Sequence, residues 1–122
     1  MIRAMLEHYS FVAITTRDLE RARAFWIGQL GFRILKEMPG KFFMIDAGGL
    51  RLCVDVEHGD EHVAAGSDPA IGFRVPSVDQ AAAFLRERGL PIARHSADGD
   101  EHGRWIEIRD PDGRAVILAE AD

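Results

Sequence analysis

The stretch that decides the fold is residues 9–37, YSFVAITTRDLERARAFWIGQLGFRILKE. It opens with apolar and β-branched residues that predict a strand over residues 9–17. Asp18 has the side chain of a helix N-cap, and apolar residues then recur at spacings of three and four, as on the buried side of a helix. Gly31 predicts the end of that helix, because glycine readily adopts the left-handed conformation found there. The stretch therefore predicts a strand, a helix over residues 18–30 and a second strand over residues 32–37.

The same order of elements occurs a second time along the chain. Ser77 and Gln80 form a capping-box pattern at the start of a second helix, and Gly89 follows its apolar stripe. Residues 58–69 lack any period and predict a linker. The remaining strands are predicted at residues 41–47, 50–57, 70–76, 91–96, 103–109 and 114–120. The sequence thus predicts one α+β domain, residues 1–122, of two tandem βαβββ modules, residues 9–57 and 70–120, that share one core.

Composition limits the classes of function. The chain of 122 residues has a net charge of -5, which argues against general nucleic-acid binding, since that needs basic surface to neutralise phosphates. Cys53 is the single cysteine, so the chain has no intramolecular disulfide and suits a reducing compartment. The sequence contains no apolar run of the length that spans a bilayer and no segment typical of a signal peptide. We therefore expect a cytoplasmic protein without a membrane partner.

The repeat resembles the vicinal-oxygen-chelate superfamily, which includes glyoxalases, extradiol dioxygenases, fosfomycin-resistance enzymes and bleomycin-resistance proteins. The matching residues are Asp18-Leu19-Glu20-Arg21-Ala22, Phe25-Trp26, Leu30-Gly31-Phe32, Phe73-Arg74-Val75 and Arg109-Asp110-Pro111-Asp112-Gly113. The last part of the chain looks most like the bleomycin-resistance branch, although His102 stands where that branch has a Trp. The resemblance implies that the modules form a curled mixed sheet, a cup with the helices outside, and that the protein is a homodimer.

The resemblance also implies where a metal would be bound. The enzymes of this superfamily hold a divalent ion with four His, Gln or Glu ligands, on the first and fourth strands of each module. The matching positions here are Phe11, Cys53, Ala70 and Ile117. Phe, Ala and Ile have no lone pair to offer a cation, and one thiol alone cannot hold Mg²⁺, Mn²⁺ or Fe²⁺. We therefore predict no metal and no cofactor in the usual place.

Strand alternation, with Phe11 and Cys53 as reference, predicts the side chains inside the cup. The predicted ligand-binding residues are Phe11, Phe43, Arg51, Cys53, Asp55, Arg74, His102, Trp105 and Glu107. No catalytic residue is predicted. Small residues between the aromatic and charged ones leave volume for a guest, and Trp105 would favour a flat or cationic one.

The leading hypothesis is a metal-free small-molecule-binding protein, with antibiotic sequestration as one form of that role. One alternative is a glyoxalase-like lyase or isomerase, or a dioxygenase-type enzyme. It would use displaced metal ligands, such as His58 and His62, or Glu107 and Asp55 as acid and base. Another alternative is a dimeric accessory domain without a ligand.

Overall fold

A computed structural model describes residues 10–57, 70–96, 98–100 and 103–120, which form two four-stranded sheets and two helices. The strands of the first sheet are β1 (Val12–Thr16), β2 (Arg33–Met38), β3 (Phe42–Ala47) and β4 (Leu50–Val56), in the order β1-β4-β3-β2. Those of the second are β5 (Ile71–Val75), β6 (Arg94–His95), β7 (Trp105–Arg109) and β8 (Ala115–Glu120), in the order β5-β8-β7-β6. In each sheet the first strand is parallel to the last, and the other neighbours are antiparallel. The predicted α+β fold of repeated modules is confirmed.

Both helices begin at the predicted caps. Asp18 accepts a hydrogen bond from the Arg21 N–H at 3.1 Å, and Ser77 accepts one from the Gln80 N–H at 3.2 Å. The helices are α1 (Leu19–Arg23), which continues as a π-helical stretch (Ala24–Gln29), and α2 (Val78–Glu87). None of the helices among the described residues is long and apolar enough to cross a membrane.

Two predicted elements differ from those observed. The helix over residues 18–30 is not α-helical throughout, because the Leu30 N–H donates to the Phe25 carbonyl and so makes a wider turn. Both Phe25 and Trp26 are buried within this wider part. The strand predicted at residues 91–96 is only two residues long, Arg94–His95, because only these residues pair with β7.

A single apolar core joins the two modules. The ring of Phe73, on β5, lies 5.3 Å from the ring of Phe32 and 6.5 Å from that of Trp26. The buried members of this core come from both helices and both sheets: Ala22, Phe25, Trp26, Phe43, Ile45, Ala47, Leu52, Val54, Val78, Ala81, Leu85, Ile106, Ile108, Val116 and Leu118. Neither module therefore buries its helix against its own sheet alone.

Polar contacts also join the modules, at the turn between β7 and β8. Arg114 is 2% exposed, pairs with the carboxylate of Asp110, and donates from Nη2 to the Thr15 carbonyl at 2.8 Å. Asp112 accepts a hydrogen bond from the Arg17 N–H at 2.9 Å. The turn of the second module is thus bonded to the end of β1 in the first.

Pairing across strands sets the face on which each side chain lies, since directly paired residues share a face. Leu52 and Val54 of β4 belong to the core, so Arg51, Cys53 and Asp55 lie on the other side of the sheet. We call the side of each sheet away from the core the open face. Its residues are Ala13, Thr15, Arg33, Lys36, Met38, Phe42, Met44, Asp46, Arg51, Cys53 and Asp55 in the first sheet, and Gly72, Arg74, Arg94, Trp105, Glu107, Arg109, Ala115, Ile117 and Ala119 in the second.

Candidate functional site

The open face of the first sheet is centred on Cys53. Its neighbours across the strands are Ala13 of β1 and Met44 of β3. Cys53 is buried, and its sulfur lies 3.7 Å from the Asp55 Oδ1. Burial, with the nearby Asp55 carboxylate, raises the pKa of the Cys53 thiol to about 11. The thiol is therefore protonated at neutral pH, and it packs as a small apolar side chain rather than acting as a nucleophile.

Phe43 does not lie on the open face, so the predicted place of this residue is wrong. It pairs with Val54 and is buried in the core beneath the helices. The aromatic ring on the open face of β3 is that of Phe42, which pairs with Asp55 and is half-buried. Of the other predicted residues, Arg51, Cys53 and Asp55 share the open face of β4, and the exposed Arg51 pairs across the strands with Asp46.

The open face of the second sheet carries a buried carboxylate. Glu107 pairs across the strands with Ile117 on one side and Arg94 on the other, and its side chain is 4% exposed. The Arg109 Nη2 lies 2.7 Å from its Oε2, and the Arg94 Nε lies 3.6 Å from its Oε1. No hydrogen bond reaches Oε2 from the described residues, so the two guanidinium charges are what compensate the burial of this carboxylate.

Trp105 lies beside this carboxylate. The Arg94 guanidinium lies 5.5 Å from the centre of the Trp105 ring, within the range of a cation–π contact. The indole N–H donates to the Asp100 carboxylate at 3.0 Å. Across the sheet the neighbour of Trp105 is Ala119, and beyond it lies the exposed Arg74. Arg94 was not among the residues predicted for the site.

A cleft of about 470 Å³ lies where the two sheets meet, between their edge strands β1 and β5. Small and apolar side chains line it: Val12, Ala13, Ile14, Thr15, Leu50, Ala70, Ile71 and Gly72. Its volume is within the range of small-molecule sites. Ala13 and Gly72 are the strand neighbours of Cys53 and Ile117, so the cleft adjoins both halves of the open face.

This geometry agrees with what the sequence comparison finds. The family model described as "Glyoxalase/Bleomycin resistance protein/Dioxygenase superfamily" matches residues 6–118. The chain belongs to this superfamily. No curated protein matches the sequence at a significant level.

Several solved structures share the fold. An antibiotic-binding protein from Streptomyces sp. CB03234, TnmS3, superposes with a TM-score of 0.77 at 23% identity, over 98% of this chain and 100% of that one. The fosfomycin resistance protein FosX from Listeria monocytogenes gives 0.77 at 20% identity, over 97% and 96% of the two chains. A lactoylglutathione lyase from Agrobacterium tumefaciens gives 0.77 at 20% identity, over 95% of each chain. At such identities these similarities establish the fold but not the function of this chain.

The residues present do not fit the divalent metal that enzymes of the superfamily use. Phe11 is exposed, Ala70 and Ile117 have no donor atom, and Cys53 holds its proton. The next residues across the strands add no ligand beside Cys53 except the weak thioether of Met44. Glu107 is next to Ile117, but its carboxylate already faces two arginines. Asp55 adds a single carboxylate beside Cys53, so the donor set falls short of the several oxygen or imidazole ligands that such a metal needs.

The other candidate metal ligands lie partly outside the described residues. His58, His62 and His102 lie outside the described residues. Among the residues that the structure describes, no three His, Cys, Asp or Glu side chains lie close enough to hold an ion. Asp55 and Glu107, the alternative acid and base, belong to different sheets, and no described contact joins them.

Proposed function

We propose that this protein binds a small molecule on the open face, without a metal ion and without chemical conversion. The observation that carries the proposal is the composition of the four positions Phe11, Cys53, Ala70 and Ile117, which would have to hold the metal. Catalysis in the superfamily depends on that ion, whereas binding needs only volume, apolar surface and oriented polar groups. The cleft between β1 and β5 and the side chains around Trp105 offer all three.

We further propose that the bound molecule is an antibiotic or a similar compound that the protein sequesters. The support is the fold that it shares with TnmS3, named an antibiotic-binding protein, and with FosX, named a fosfomycin resistance protein. Trp105 and Phe42 provide flat apolar surface on the open face, which suits the rings of many such compounds. In this role the protein protects its cell by lowering the free concentration of the compound.

A homodimer is part of the proposal, because one chain exposes apolar side chains on the open face and just before β1. Phe11 is 54% exposed and Met38 is 47% exposed, and Phe42 beside Met38 is half-buried. A second copy would cover such residues and enclose the cleft, which would strengthen binding of a ligand. Sedimentation equilibrium at micromolar concentration should give twice the mass of the chain; a monomer would contradict this part of the proposal.

Tryptophan emission tests the binding function. A panel of flat aromatic antibiotics and glycopeptide-like compounds is titrated against the wild-type protein and against Trp105→Phe. We expect saturable quenching by at least one compound and its loss in Trp105→Phe, since the remaining Trp26 is buried in the core. A matched control, Trp26→Phe, should keep the response. Quenching by no compound, or quenching that survives in Trp105→Phe, would contradict binding at this site.

A further inference from the structure

We propose that the ligand of the open face is an anion attached to a flat aromatic body. This inference rests on the proposed binding function and adds the charge of the ligand. The groups expected to recognise the anion are Arg94 and Arg74, one on each side of Trp105 and Ala119, while Trp105 stacks on the aromatic part.

The charges on the open face have the opposite sign to the whole protein. The chain carries a net charge of -5. The strand residues on the open face of the second sheet include three arginines and one carboxylate, Glu107, and Asp100 adds a second carboxylate at the Trp105 indole; those of the first sheet include three cations and two carboxylates. Among the described residues, the six cations of the open face thus outnumber the four carboxylates on it or beside it. An electropositive face on an acidic protein attracts an anion and repels a cation.

The surroundings of Trp105 exclude a cation from one side of its ring. A cationic guest would stack on an aromatic ring whose face is free. Here the Arg94 guanidinium already lies over the ring at 5.5 Å. A second cation at this place would have to displace Arg94 or accept repulsion from it. An aromatic anion can instead stack against the Trp105 ring while its negative charge pairs with the Arg94 guanidinium.

Glu107 holds Arg94 and Arg109 in place but neutralises only one of their two positive charges. Its carboxylate is buried, whereas Arg94 is 64% exposed and Arg109 is 43% exposed. One negative charge therefore faces two positive ones, which leaves one net positive charge at the surface. Arg74 adds another cation, and it makes no hydrogen bond or ion pair with the residues that the structure describes. Glu107 is in this sense a positioning residue, since it holds the guanidinium groups in place for a ligand.

The row Arg74, Ala119 and Trp105 supplies the space for a flat body. These residues are neighbours across three adjacent strands, so the first and the last are about 10 Å apart at the backbone. Ala119 between them has only a methyl side chain. We expect a planar ring system to lie over Ala119, with Trp105 at one edge and Arg74 at the other.

Isothermal titration calorimetry with two probes of equal shape tests the charge. The probes are 2-naphthalenesulfonate and N,N,N-trimethyl-2-naphthylammonium. We expect the sulfonate to bind at least about tenfold more tightly at low salt, with the difference shrinking as salt is added. Arg94→Gln and Arg74→Gln should each weaken the sulfonate several-fold. Arg86→Gln, which removes an exposed arginine from α2 on the other side of the sheet, is the matched control and should change nothing.

The outcomes separate this inference from the binding function. Tighter binding of the ammonium probe, equal binding of both, no binding of the sulfonate, or insensitivity to Arg94→Gln would each overturn the anionic ligand. None of these results bears on the quenching by a compound of the panel, which judges the binding function by itself. Thermal unfolding of each variant, compared with wild type, checks that the substitution leaves the fold intact.

Discussion

Replacing Arg114 by Met tests how the two modules are held together. Arg114 is buried and bonds both the Asp110 carboxylate and the Thr15 carbonyl. After its removal, the donors to this buried carboxylate among the described residues are the backbone N–H groups of Asp112 and of residue 114. Breaking a buried ion pair from one side costs about 3 to 5 kcal/mol. Because a domain of this size is stable by about 5 to 15 kcal/mol, the variant should lose a large part of its stability.

Urea unfolding followed by the emission of Trp26 measures this loss. Arg33→Met is the matched control: it makes the same change in an ion pair with Asp46, at 3.5 Å, whose arginine is 75% exposed. That control should lose no more than about 1 kcal/mol. Arg114→Met with Asp110→Asn should recover part of the stability, since it removes the unpaired charge. A loss in Arg114→Met no larger than that in Arg33→Met would refute the argument.

The pH dependence of the same variant has a definite sign. Burial already raises the pKa of Asp110, against the opposing effect of Arg114. Without Arg114 the pKa of Asp110 in the folded chain rises further. The folded chain therefore protonates this carboxyl at a higher pH than the unfolded chain does. The deficit of Arg114→Met relative to wild type should therefore be largest near neutral pH and shrink in acid.

Two further experiments test the site: a pair of phenylalanine substitutions and the alkylation of Cys53. Phe43→Ala should cost about 3 to 5 kcal/mol of stability and Phe42→Ala much less, because only Phe43 is in the core; the reverse order in urea unfolding would contradict the assigned faces. Cys53, with its pKa raised to about 11, should be alkylated by iodoacetamide at pH 8 far more slowly than free cysteine, since about one thiol in a thousand is ionised instead of about one in four. Mass spectrometry measures the rate, and a rate equal to that of free cysteine would contradict the burial of the thiol. The same shift implies that the contribution of Cys53 to stability is complete below the ordinary pKa of a thiol and is lost as the pH rises to about 11.

The sequence predicted the elements well where local chemistry determines them. Asp18 and Ser77 mark helix starts because a side-chain acceptor for an orphan N–H is a local property. The alternation of Leu52 and Val54 with Arg51 and Cys53 orients β4, because only one side of it is apolar. The π-helical stretch at Ala24–Gln29 had no such signal, since the residues there also fit an α-helix.

The site was harder to predict because it depends on pairing between strands. In β3 both alternating sets are apolar, Phe43 with Ile45 and Phe42 with Met44, so period alone does not choose the buried side. Only the register with β4 places Phe42 on the open face. Arg94 was missed for the same reason: its place beside Glu107 follows from a two-residue strand that has no periodic signal.

The most direct test of metal-free binding measures the metal content of the purified protein and compares its ligand affinity before and after treatment with a chelator. The metal content of the purified protein is measured by mass spectrometry, and the affinity for the most strongly quenching compound of the panel is measured before and after exhaustive dialysis against EDTA. We predict far less than one bound transition metal or Mg²⁺ ion per chain and an unchanged affinity. An ion bound one per chain, with affinity lost on its removal and restored on its return, would contradict the account.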